Sequence, residues 1–147
     1  MSEAPPLPTP TPEAVRRART FWEQGQADLK ESRRRLRARA WLDSSYLSFQ
    51  ASLNALSSVC TLHGVFRLPS HSTGRLAALA QGYDPRFAAL GEPAQELEAV
   101  QELNPYAAGR DAAEEQRRSR LYYAHSDSIL KAVRGYLKTH RRHFFAP

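Results

Sequence analysis

A chain of 147 residues is long enough for one domain with a core of its own, which needs neither disulfides nor a structural metal. Its 21 Lys plus Arg against 15 Asp plus Glu leave a net charge of +6 and a pI near 9.9, a balance that favours acidic partners such as nucleic acid or nucleotides. A single cysteine, Cys60, excludes an intramolecular disulfide, and no basic start leads into an apolar run, so no signal peptide is read and a cytoplasmic protein is expected.

Residues 1–11 hold Pro5, Pro6, Pro8 and Pro10 among small polar residues and predict a disordered, solvated tail. Thr11 offers an N-cap, with Pro12 at the first helical position and Glu13 in the first turn. Val15, Ala18, Trp22, Gly25, Leu29, Leu36 and Ala40 then recur at steps of three, four and seven, which predicts a first helix running to about Ala40. Its far end carries Arg33, Arg34, Arg35, Arg37 and Arg39, cations at the negative pole of the helix dipole.

No charged residue occurs between Asp43 and Arg67. The stretch is long enough to cross a bilayer, but Ser, Thr, Gln and Asn interrupt it too often for a lipid-facing helix, and no membrane contact is expected. With Asp43 or Ser44 as cap and Gly64 as stop, it predicts a second helix to His63, wrapped by other helices on nearly all sides. Leu42, Tyr46, Phe49, Leu53, Leu56 and Cys60 line one face, while Leu47, Val59 and Leu62 cover much of the rest. Cys60 is therefore expected to be a buried structural thiol.

Ser72 to Ala80 predicts a short helix ended by Gly82, and Asp84-Pro85 begins a turn that Gly91 closes. Pro93 to Leu103 predicts an acidic helix with Glu96, Glu98 and Glu102 outward, stopped by Asn104-Pro105. Asp111 with Glu114 forms a capping box for a long last helix, whose Leu121, Tyr122, Ile129, Val133, Tyr136 and Leu137 share one broad side. No strand signal and no internal repeat occurs, so the fold class is all-α.

Ala27-Asp28-Leu29-Lys30, Trp41 with Tyr46, and Phe49 through Leu56 resemble the opening of a HEPN domain. His71 before a short helix and the Asn104-Pro105-Tyr106 to Arg110 turn before the last helix extend the resemblance over about residues 14 to 138. Two features depart from the family pattern. Leu53 and Ser57 stand where an acidic residue and a lysine are common, and the turn before the last helix is altered. The resemblance implies a four- or five-helix up-and-down bundle over residues 12–143, commonly a homodimer, encoded beside a minimal nucleotidyltransferase. Some members are metal-independent ribonucleases built on an Arg-x(4–6)-His motif; others bind nucleotides or partner proteins.

That chemistry needs a His as proton donor or acceptor at a ribose 2′-hydroxyl and an Arg to hold the phosphate. Arg120 to His125 has the required spacing, and Arg118 to His125 and Arg134 to His140 also qualify. With 18 Arg and five His, about two such hits arise by chance, so three carry little weight. Five residues along a helix rotate by about 140°, which sends Arg120 and His125 to different sides; Arg118 and His125 share a face two turns apart. Asp127 stands where the toxins silenced by nucleotide transfer carry a Tyr.

Cys60 with His63, and His140 with His143, have metal-like spacing, but no second cysteine completes a set and Arg141 and Arg142 repel a cation from the latter pair. No metal and no cofactor is expected. If the long helices alternate in direction, Arg33 to Arg39 approach Arg117, Arg118 and Arg120 at one end of the bundle. That end then either binds anions or forms a solvated surface that complements Glu23, Glu31, Glu114 and Glu115. The leading expectation is a nucleotide- or RNA-associated partner protein, plausibly one half of a toxin–antitoxin-like pair with a nucleotidyltransferase. The alternatives are a metal-independent endoribonuclease using His125 with Arg118 or Arg120, and a non-catalytic protein-interaction module.

Overall fold

The structure, a computed structural model, describes residues 8–140. Residues 1–7 of the expected tail, together with Arg141, Arg142 and His143, lie outside the described residues, as does the side chain of His140. Five α-helices carry the described chain: α1 (Pro12–Arg37), α2 (Trp41–Leu62), α3 (Thr73–Gln81), α4 (Gly91–Leu97) and α5 (Ala112–His140). Two 3-10 helices, Pro85–Leu90 and Glu98–Glu102, link the shorter ones, and no strand is present among the described residues. The helices form a bundle in which α1 runs antiparallel to α2, the short helices climb back along α2, and α5 descends beside it. Tyr46 Oη donating to Leu103 O (2.6 Å), Cys60 beside Leu76, and His63 Nε2 at 2.5 Å from Tyr136 Oη fix that register.

Thr11 caps α1 as its sequence predicts, accepting from Ala14 N at 3.1 Å. The helix stops at Arg37, three residues before the expected end. Ala40 N donates to Arg35 O (2.9 Å) and Arg39 N to Leu36 O (3.1 Å), with Arg39 left-handed at φ 61. This is a Schellman reversal. It turns the chain within residues 38–40, so α2 opens at Trp41 and the expected caps, Asp43 and Ser44, already lie inside it.

Helix α2 is buried on nearly every side, with Ala51, Ala55, Leu56, Val59, Cys60 and Leu62 fully enclosed. Its serines make that enclosure compatible with close helix approach. Ser32 Oγ of α1 meets Ser44 Oγ (3.0 Å) and Ser48 Oγ (2.8 Å), while Ser52 Oγ donates to Ser126 Oγ (2.9 Å) of α5. Each hydroxyl is small enough to sit at a crossing and has a partner there, so its burial costs little. Gly25 completes the α1–α2 contact, since a Cβ on it would lie 3.1 Å from Ala51 O. Burial pushes the Cys60 thiol up to about 12, which makes it the inert core residue expected.

The climbing leg departs from expectation. Gly91 begins α4 instead of closing the turn before it, and the acidic segment is α4 to Leu97 followed by a 3-10 turn, not one helix to Leu103. Glu98 does not point outward. Its Oε1 accepts from Ser72 Oγ (2.5 Å) and Gly74 N (3.0 Å), so it caps α3 from a distance. In α5, Asp111 Oδ1 accepts from Ala113 N (3.0 Å), but Glu114 is drawn to Arg117 and Arg118 instead of reaching back. The buried face of α5 is Ser119, Tyr122, Ser126, Ile129, Leu130, Val133, Tyr136 and Leu137; Leu121, expected inside, is 41% exposed. No helix among the described residues is long and apolar enough to cross a membrane.

Candidate anion-binding cleft

The C-terminal end of α1, the first turn of α2 and the first turns of α5 meet at one end of the bundle. Leu36, Arg37, Arg39, Trp41, Ala112, Ala113, Gln116 and Arg120 line a cleft of about 700 Å³ there. Two helix N-termini, those of α2 and α5, border it with their positive poles. The α1 carbonyls that would oppose an anion are occupied, Arg34 O by Ala38 N (3.1 Å) and Arg35 O and Leu36 O by the Schellman bonds. Around Trp41 lies a second, smaller cleft of about 260 Å³, bounded by Arg39, Ala40, Leu42, Asp43, Pro105, Arg110 and Glu115. Arg39 and Trp41 belong to both.

The arginines singled out in the sequence divide into two groups. Arg34 and Arg35 both grip Glu31, at 2.5 and 2.9 Å, and Arg35 also reaches Asp43 (3.3 Å). The Arg34 guanidinium, joined by Arg35, holds the Glu31 carboxyl down at about 2. It is therefore charged at any physiological pH, and the pairing persists. Arg117 and Arg118 are drawn onto Glu114 at 2.6 and 3.2 Å, and Arg117 above all keeps that carboxyl below its usual range. Arg33, Arg37, Arg39 and Arg120, by contrast, make no ion pair among the described residues. Three of these four line the larger cleft, where no carboxylate faces them.

The Arg–His pairs fare differently. His125 is half-buried at the edge of the α5 core face, and its Nε2 lies 2.6 Å from Glu96 Oε2 of α4. Arg120 opens into the cleft toward α1. Arg118 lines a third cavity, of about 380 Å³, with Leu42, Leu103, Arg110, Asp111 and Glu115, and His125 is not part of its lining. Arg110 ties the turn before α5 together, donating to Glu115 Oε2 (2.8 Å) and Pro105 O (2.9 Å). No group of three or more His, Cys, Asp or Glu side chains that could hold a metal occurs among the described residues.

Trp41 and Gln116 are the lining residues that spacing alone did not single out as site residues. Trp41 follows directly on the basic run, and an aromatic in that place is the one signal that could have marked it. Comparison with protein-family models, with curated proteins and with solved structures returns no match for the chain.

Proposed function

We propose that the protein binds phosphate-bearing ligands, nucleotides or RNA, through the cleft between α1 and α5, and serves as the nucleic-acid-associated partner in a two-component system. HEPN bundles beside a minimal nucleotidyltransferase have this role, and the motif resemblance in the first two helices supports placing the chain with them. One observation carries the reading: Arg37, Arg39 and Arg120, drawn from two helices and a turn, line one cleft with no carboxylate to neutralise them. Surface arginines usually complement nearby acids, as Arg34 and Arg117 do here. Three guanidinium groups without an ion-pair partner among the described residues line one hollow, where a phosphate can accept bidentate contacts from them. The ribonuclease alternative has less support: Arg120 and His125 open to different sides of α5, Arg118 is drawn onto Glu114 in a cavity that His125 does not line, and His125 lies against Glu96.

The test is binding of a labelled single-stranded RNA by fluorescence anisotropy across a salt series. The combined variant Arg37→Ala, Arg39→Ala, Arg120→Ala should bind more weakly and lower the magnitude of the salt slope by about 2, at ~0.7 per phosphate contact on a single strand. Arg34→Ala with Arg117→Ala, which removes the same type of residue from paired positions, should change little. A parent that fails to bind at low salt, or a triple variant with an unchanged slope, would overturn the reading.

A further inference from the structure

We infer that Trp41 is a stacking platform for an unpaired base, which makes single-stranded nucleic acid, not duplex, the ligand of the cleft. This rests on the proposed anion-binding role and narrows it. Trp41 is half-buried at the first position of α2 and lines both hollows, as Arg39 does. The core does not need it: the other tryptophan, Trp22, is 3% exposed and packs with the buried cluster, whereas Trp41 lies outside that cluster. An indole lining an arginine-lined hollow can offer a π-face to a base whose phosphates meet the guanidinium groups.

The half-burial of Trp41 decides between ligand forms. In an A-form duplex the base faces are stacked on one another, and a protein surface meets sugar and phosphate. Trp41 is half-buried and lines the hollow with Leu36, Ala112 and Ala113, so a base must leave its stack to meet the indole face. An unpaired strand can turn a base into the hollow while its neighbouring phosphates span Arg37, Arg39 and Arg120. The cleft, at about 700 Å³, falls in the size range of sites that enclose a small ligand, so it can hold a nucleotide unit.

Two tryptophans in the chain make the test direct. In a Trp22→Phe background, where Trp41 is the sole tryptophan and is excited selectively over the tyrosines, a short uridine-only RNA should quench the fluorescence, and the same strand annealed to its adenine complement should not. In the otherwise native chain, Trp41→Ala should weaken binding of the unpaired strand on the order of tenfold without changing the salt slope, and Trp41→Phe should restore most of it. A free nucleoside monophosphate serves as a third arm. Quenching by it at higher concentration extends the site to single nucleotides, and its failure to quench restricts the site to strands. Equal affinity for strand and duplex, or a Trp41→Ala variant that binds as the parent does, would overturn the inference. In that case an arginine-dependent salt slope would leave the anion-binding role standing; no binding to any arm would remove both.

Discussion

Arg39 adopts a left-handed conformation (φ 61) that costs a residue bearing a Cβ about 1–2 kcal/mol, at a position where helices usually place glycine. The reversal after α1 would form more readily with Gly there, so the arginine stands at this position at a cost to local stability. Its side chain lines both hollows around Trp41, which gives a reason for keeping it. Arg39→Gly should therefore raise the thermal midpoint by roughly 2 °C, the strain relieved being partly offset by the freedom glycine adds to the unfolded chain, while RNA binding weakens. Thermal unfolding and anisotropy on the same sample check both halves. A variant that loses stability along with binding would show that the arginine supports the turn and not the ligand.

The helices differ in what holds them. Helix α1 presents alanine, glycine and serine to α2 at Ala14, Ala18, Gly25 and Ser32, so the two backbones approach closely. At Gly25 a methyl group would meet the backbone atoms Ala51 O (3.1 Å) and Ala55 N (3.2 Å), which cannot swing away as a side chain can. Overpacking of this kind costs about 1–3 kcal/mol, and the better helix propensity of alanine returns about 1. Gly25→Ala should thus destabilise the fold by about 1 kcal/mol, a fall of roughly 2–4 °C in the thermal midpoint measured by circular dichroism. A rise would mean that α1 and α2 can part slightly without loss. The Ser52–Ser126 and Ser48–Ser126 contacts place α5 against α2 by the same device.

Across the whole molecule, charge is unevenly spread. Uncompensated arginines gather at the α1–α5 end, and Glu96 pairs with His125 farther along α5. Helix α5 also leaves Leu121 41% exposed on its outer face, next to Ala124 and away from the core stripe. The sequence resemblance implies a homodimer, and Leu121 is the exposed large apolar side chain of α5 at which that expectation can be tested. Light scattering at tens of micromolar should give a dimer for the parent and a monomer for Leu121→Arg. A parent that scatters as a monomer would set the dimer aside.

Much of this was legible in the chain itself. The start of α1 at Thr11, the uncharged α2 as a buried centre and the all-α class follow from local rules of capping, periodicity and desolvation, which act within a few residues. The gathering of basic ends also follows from sequence, because antiparallel helices joined by a tight turn return the chain to the same end. The pairing of Arg34 with Glu31 and of Arg117 with Glu114 is a matter of helical spacing. Other features depended on contacts distant in sequence. Five of the six residues expected on the inward side of α5 are buried; Leu121 is the exception, because hydrophobic periodicity counts serine as polar. Ser119 and Ser126 share that face, donating to Gln116 O (2.9 Å) and Ser48 O (2.8 Å), while Leu121 turns outward and His125 lies at the edge beside Glu96. The left-handed turn at Arg39 carries no glycine to announce it. Which arginines remain unneutralised around one hollow, and that Trp41 stands among them, depends on how three helix ends meet, a relation that tertiary packing alone decides.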